Sequence, residues 1–211
     1  MKAENGSRPM NAPQAKPYDA RLAAWLVRPL IDSRVTPNHL TCVRFAVGAA
    51  GAVMFALGGR PDTAALLIVL SNFLDHTDGE LARMSGKTSR FGHYFDLASD
   101  ALVTVGMFVG MGIGLVGQIG NSAAWMGCSA GLAVAGIFHL RNIIENRHGK
   151  TATKQPRFAG FEAEDVLYLI PLVTLAGALD GFLRAAAIGA PIALLIVTIQ
   201  YVMIERRQRQ T

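Results

Sequence analysis

The chain has 211 residues, 51% hydrophobic and only 17% charged, with a mean hydropathy of +0.32. Soluble domains carry roughly 25% charged residues, so the composition argues against a water-soluble globular enzyme and for an all-α integral membrane protein. The net charge is +5, but the basic residues flank apolar segments instead of covering one helix face, which speaks against a nucleic-acid binder and suits topology signals and lipid headgroups.

In chain order, residues 1–17 are polar and contain Pro9 and Pro13. They read as a disordered N-terminus, and no signal-peptide apolar run occurs in the first 36 residues. Residues 18–36 predict an interfacial amphipathic helix, with Leu22, Trp25 and Leu26 on one face and Arg21 and Arg28 elsewhere. The alternative for this segment is a helix packed on the water side of a bundle. Thr36-Pro37 is a helix start, because Thr36 can cap and Pro37 suits the first helical position.

Six spans are then expected within 37–205: about Asn38 to Gly58, Thr63 to Arg83, Phe91 to Gly117, Ala123 to Ile144, Glu164 to Leu179 and Leu183 to Ile204. Each is near the ~20 residues needed to cross the hydrocarbon, the fifth being the shortest. Turns are expected at 59–62, 84–90 and 118–122, and at Asp180-Gly181, with a basic loop at 146–161. Residues 206–211 form a tail.

An even number of spans puts both termini on one side. The N-terminal segment, the loops after the second and fourth spans with their helix ends, and the tail hold 17 of the 20 Lys and Arg residues. Positive-inside bias makes that side cytoplasmic. Arg60 and Arg184 fall on the other side, and Arg44 is placed just inside the first helix. Gly106, Gly110 and Gly114, and likewise Gly127 and Gly131, form small-residue stripes that predict close helix packing. Cys42 and Cys128 lie on different spans and are expected as small packing residues rather than a disulfide or zinc ligands.

The chemistry is concentrated between residues 75 and 100. The residues read Asp75-x-x-Asp78-Gly79-x-x-Ala82-Arg83, then eight positions, then Gly92-x-x-x-Asp96-x-x-x-Asp100. On helices, these spacings put each set along one face. A short turn between antiparallel spans brings Asp75 level with Asp100 and Asp78 level with Asp96. Four acids inside a membrane segment mark a functional site by default. Clustered anions at low dielectric must be protonated or neutralised by cations. The expectation treats them as unpaired by protein cations. Oxygen-only ligands favour hard ions such as Mg²⁺ or Mn²⁺, and two such ions suit displacement at a phosphoryl group. Gly79 and Gly92 leave room for a ligand beside the backbone, and Arg83 suits a phosphate oxygen. His76 and His93 fall off the stripe and read as polar neighbours.

The full spacing resembles the signature of the CDP-alcohol phosphotransferase (CDP-alcohol phosphatidyltransferase) family, D-x2-D-G-x2-A-R-x8-G-x3-D-x3-D, at every fixed position. The resemblance implies a six-helix domain in which Asp75, Asp78, Asp96 and Asp100 bind two divalent ions, Mg²⁺ or Mn²⁺. It further implies that Asp100 takes the proton of the acceptor hydroxyl. The donor site it implies comprises Asn38, Thr41, Gly79, Ala82, Arg83, Ser89 and Gly92. The implied partners are CDP-diacylglycerol, a small polar alcohol and membrane lipid, with a homodimer as the usual assembly and the bacterial cytoplasmic (inner) membrane as the location.

Phe95 to Ala101 lacks the D-P-x-x-D-K form of glycerophosphate-type members, and Asp75 to Glu80 is more similar to branches that include inositol phosphate users. Arg141, Arg147 and Lys150, followed by Lys154 and Arg157, would suit a phosphorylated acceptor; charge bias and anionic lipid account for them equally. Glu162, Glu164 and Asp165 read as favourable charges at the start of the fifth span. Two other functions are compatible with the acids. One is transfer from a soluble CDP-alcohol to diacylglycerol, and the other is divalent-cation transport.

Overall fold

A computed structural model describes residues 18–148 and 167–208. The expected disorder of residues 1–17, the basic residues Lys150, Lys154 and Arg157, the acids Glu162, Glu164 and Asp165, and the end of the tail lie outside the described residues.

Among the described residues the secondary structure is helical throughout. It comprises α1 (Tyr18–Val27), a 3-10 turn (Arg28–Leu30), α2 (Pro37–Leu57), α3 (Pro61–Ser85), α4 (Arg90–Gly114), α5 (Val116–Ile119), α6 (Ser122–His148), α7 (Ile170–Leu175) and α8 (Leu179–Gln208). Four of them, α2, α4, α6 and α8, are long and apolar enough to cross a membrane. The α3 helix has the length, at 25 residues, but Asp62, Asp75, Asp78, Glu80 and Arg83 lower its hydropathy. Residues 167–179 of the expected fifth span are described, and their only α-helix before α8 is the six-residue α7, after a 3-10 turn at 167–169.

Local chemistry sets the helix ends. Pro37 and Pro61 open α2 and α3, where a missing N–H costs nothing. Thr36 N–H donates to His39 Nδ1, bringing the first turn of α2 back on its own start. Gly58 and Gly86 end α2 and α3 with φ of 69° and 68°, a left-handed conformation that favours glycine. Several boundaries differ from expectation: α3 already starts at Pro61, α6 runs on to His148 and α8 to Gln208. The third span stops at Gly114, because α5 forms a separate turn before Gly120. The last reversal comes at Gly177 (φ 64°), and Asp180-Gly181 instead lie in the first turn of α8. There Asp180 faces the positive end of the helix dipole.

The core runs between α2, α3, α4, α6, α7 and α8, around Phe55, Ile68, Met107, Phe108, Met111 and Leu183. Phe108 stacks on Phe182 at 6.2 Å. The small-residue stripes do what they predict. A Cβ on Gly110 would collide with the Ala52 carbonyl, one on Gly114 with the Phe55 carbonyl, and one on Gly127 with the Phe108 carbonyl. Thus α2 and α6 both press against the backbone of α4. Cys42 and Cys128 are free thiols.

The outside of the bundle is apolar. Leu57, Leu66, Trp125, Leu132, Leu172, Ile188 and Leu195 are all exposed, and only 6% of the apolar stretch of α8 is buried. Exposed apolar surface on this scale belongs against lipid. In α1, Ala23 and Val27 are buried, whereas Leu22, Trp25 and Leu26 are exposed. The segment after α1 is tied to the α3–α4 loop by Lys87, whose Nζ donates to the carbonyls of Ile31, Ser33 and Val35 at 3.0, 2.7 and 3.4 Å.

Candidate active site

Asp75 and Asp78 lie one turn apart near the end of α3, and Asp96 and Asp100 one turn apart in α4. The loop 86–89 between the helices is tight, because Gly86 closes α3 and Ser89 opens α4 by accepting the Gly92 N–H at 2.9 Å. The four carboxylates therefore converge as the spacing predicts. Oxygens of Asp75, Asp78 and Asp96 all lie within 4.8 Å of one another. Asp78 is buried, at 6% side-chain exposure, while Asp75, Asp96 and Asp100 are 31%, 38% and 39% exposed. The cluster thus has a closed floor and an open side.

That floor is Arg44, and it overturns the expectation of acids unpaired by protein cations. Arg44 is not a topology residue near the helix entrance. Its side chain is 2% exposed and reaches every carboxylate of the cluster. Nη1 is 2.6 Å from Asp100 Oδ1, and Nη2 is 2.6 Å from Asp96 Oδ1 and 3.2 Å from Asp75 Oδ1. Nε is 3.2 Å from Asp78 Oδ2. Nη2 also donates to the Asp96 carbonyl at 3.1 Å. The planar fork of a guanidinium can serve several carboxylates at once, which a point-charge ammonium cannot. Thr41, one turn earlier on the same face, donates its hydroxyl to Asp78 Oδ2 at 2.8 Å.

Arg44 carried a readable signal: it is the one charged residue between His39 and Gly59. A charge inside an apolar span faces a partner in the bundle. Its backbone carbonyl accepts from Ser71 Oγ at 2.8 Å, fixing α2 against α3 at this level. Below the guanidinium lies a cavity of about 30 Å³ lined by Ser71, Asn72, Thr104 and Met107 among others.

Several of the expected donor residues lie at the helix ends around the loop 86–89. Arg83 folds back over Gly79, so that a Cβ there would lie 3.6 Å from Nη2. Its Nη2 pairs with Glu80 Oε1 at 2.9 Å, and the Arg83 side chain remains 64% exposed. Asn38 stands against Gly92: a Cβ on Gly92 would come within 2.6 Å of Asn38 Oδ1 and 3.0 Å of Ser89 Oγ. Gly92 is therefore what lets the starts of α2 and α4 meet. Ala82 accepts the capping N–H of Gly86 through its carbonyl. Thr41 is buried under Asp78 and orients that carboxylate rather than lining the opening.

The residues expected at an acceptor are less concentrated. Arg141 is partly buried in α6. Arg147 is bound on the face between α6 and α8, by Glu205 Oε1 at 2.9 Å and Tyr201 Oη at 3.1 Å. His76 Nδ1 lies 3.0 Å from the Asn72 carbonyl, and His93 is exposed beside Tyr94. Neither belongs to the oxygen cluster of Asp75, Asp78 and Asp96.

The donor set fits hard divalent ions. It offers only carboxylate oxygens, clustered at coordination scale and open on one side.

Comparison with known proteins agrees with this geometry. The chain is 34% identical to an archaetidylinositol phosphate synthase of Pyrococcus horikoshii over 80 residues, 38% of this chain and 42% of that protein. It is 33% identical to a phosphatidylinositol phosphate synthase of Cutibacterium acnes over 107 residues, 48% of this chain and 49% of that protein. The matched stretch is thus less than half the length of either relative. The crystal structure of a Mycobacterium tuberculosis phosphatidylinositol phosphate synthase with CDP-DAG bound superposes with a TM-score of 0.61. That match covers 87% of this chain and 91% of the other at 21% identity, so it bears on the fold alone. The sequence profile of CDP-alcohol phosphatidyltransferases matches residues 34–204, and the chain belongs to that family.

Proposed function

We propose that this protein transfers a phosphatidyl group from CDP-diacylglycerol to a small polar alcohol and releases CMP. The observation that carries the reading is the convergence of Asp75, Asp78 and Asp96 into one oxygen cluster, open on one side and rimmed by Arg83 and Gly79. A diphosphate is the ligand that matches such a rim.

In this reading, Asp75, Asp78, Asp96 and Asp100 hold two Mg²⁺ or Mn²⁺ ions. Bound there, the ions supply positive charge against the diphosphate and the departing CMP. Gly79 leaves space for the diphosphate, and Arg83 donates to its oxygens. Asn38, Ser89 and Gly92 border the nucleotide at the paired starts of α2 and α4. The acceptor oxygen attacks the phosphorus that bears the lipid. A new P–O bond forms, the P–O bond to CMP breaks, and its electron pair leaves on the CMP phosphate. Asp100 accepts the hydroxyl proton; its Oδ1 is engaged by Arg44, which leaves that task to Oδ2.

The acceptor is a polar alcohol, with a phosphorylated one favoured by the basic end of α6, where Arg141 and Arg147 lie and Lys150 follows in sequence. The relatives named for inositol phosphate products make inositol phosphates the first candidates.

The same reading places six spans in the bacterial cytoplasmic membrane with both termini inside. The α3 helix would be the second span, with its acids turned to the bundle, and the segment ending in α7 the fifth. Residues 1–17 precede an interfacial helix in 18–36, the transfer domain fills 37–205, and 206–211 form the tail. The exposed Leu22, Trp25 and Leu26 support an α1 lying in the interface. Pairing of two copies belongs to this reading by resemblance alone.

The test is an acceptor panel with CDP-diacylglycerol and Mg²⁺ or Mn²⁺, read by lipid mass spectrometry. A new phospholipid formed with CMP supports the proposal. Product only from a soluble CDP-alcohol and diacylglycerol would reverse donor and acceptor. Metal flux into liposomes without any transfer would make the protein a transporter.

A further inference from the structure

Arg44 is a buried cation bonded to all four carboxylates, and the reaction as derived above gives it no part. Its contacts take one oxygen of each acid: Oδ1 of Asp75, Asp96 and Asp100, and Oδ2 of Asp78. It lies on the closed side of the cluster, while three of the four acids are about one-third exposed on the other side. Ligands entering from the open side therefore meet carboxylates already held from beneath. We infer that Arg44 is a resident counter-ion that makes full divalent-cation occupancy depend on the diphosphate donor. The inference rests on the function proposed above.

The charges give the reason. Four carboxylates and one guanidinium carry a formal charge of minus three. One divalent ion lowers this to minus one. A second takes the centre to plus one, against the repulsion of both the first ion and Arg44. The donor diphosphate brings the charge back below zero, so the second ion and the donor favour each other. Without Arg44, two divalent ions alone would neutralise the acids, and the donor would be less needed. Burial strengthens the effect, because charges at this depth are weakly screened. By linkage, whatever the donor does for the metal, the metal does for the donor. Arg44 is thus a positioning and charge-setting residue, acting through the carboxylates.

The experiment titrates detergent-purified protein with Mn²⁺, following the free-ion EPR signal, with and without CDP as the diphosphate probe. Wild type is expected to take up its second Mn²⁺ more readily with CDP, the midpoint of that step being lowered about tenfold, within the usual range of site-to-site coupling. Arg44→Gln should bind Mn²⁺ about tenfold more tightly without CDP and lose most of the CDP effect. Arg44→Lys keeps the charge and should stay near wild type. Unchanged or weaker Mn²⁺ binding by Arg44→Gln, or an undiminished CDP effect, overturns the inference. Thermal melting covers the case of a fragile variant. Mn²⁺ should raise the melting temperature of Arg44→Gln more than that of wild type; an equal or smaller rise, or failure to recover folded protein even in Mn²⁺, overturns it as well. Wild type that binds neither Mn²⁺ nor CDP would instead sink the proposed function, and this inference with it.

Discussion

Thr41 on α2 donates its hydroxyl to Asp78 on α3 across 2.8 Å, and both side chains are buried. Asp78 is the least exposed of the four acids, so its orientation is set from within the bundle. A carboxylate held by a hydroxyl and a guanidinium on one oxygen presents the other to a ligand.

Thr41→Val keeps the shape and removes that donor. It should cost about 1–3 kcal/mol of stability, the usual penalty for leaving a buried polar group short of a partner. Mn²⁺ binding should weaken at the same time, and Thr41→Ser should restore both. Calorimetry and metal titration check this. A Thr41→Val protein that binds Mn²⁺ like wild type would show that the hydroxyl does not position Asp78.

Asp100→Asn retains an oxygen for Arg44 but cannot take a proton. Transfer should fall by about 10²–10⁴-fold, the range for loss of a positioned base. Melting should change little, since the Arg44 hydrogen bond can persist. Near-normal CMP release by this variant would remove Asp100 from the role of proton acceptor.

Arg83 is mostly exposed and held at one nitrogen by Glu80. Arg83→Ala should raise KM for CDP-diacylglycerol by about tenfold or more with a smaller change in kcat, the pattern of lost ground-state binding. Arg83→Lys should recover only part of it, because the planar fork is lost. Steady-state kinetics with varied donor decide the matter, and an unchanged KM would take Arg83 off the donor.

Gly110→Ala pushes a methyl group into the Ala52 carbonyl, where neither backbone can yield cheaply. Overpacking of this kind costs about 1–3 kcal/mol. Gly117 faces open space within 4 Å, so Gly117→Ala serves as the control. Melting in detergent should separate the two. Equal stability would mean that α2 and α4 are not pressed together at this level.

Much of this was legible before any coordinates. Pro37 and Gly58 mark the ends of α2 by their own backbone chemistry, whereas Pro61 was placed in the turn at 59–62 and instead opens α3. Asp75, Asp78, Asp96 and Asp100 converge because residues three and four apart share a helix face. The role of Arg44 was not legible from spacing, because its four partners come from two other helices. The hydrogen bond from Thr41 to Asp78 was hidden for the same reason: only packing brings the two side chains together. The break after Gly114 was hidden because Leu115 to Ile119 are as compatible with a continuing helix as with a new turn.

The most direct measurement uses doubly labelled CDP-diacylglycerol in vesicles with the purified protein, Mn²⁺ and an acceptor panel that includes an inositol phosphate. Lipid-linked product and CMP should appear in equal amounts, stop on chelation and resume when Mn²⁺ is returned. Turnover that persists after the metal is removed, or no transfer to any acceptor by folded protein, would contradict a carboxylate-held metal centre acting on the diphosphate.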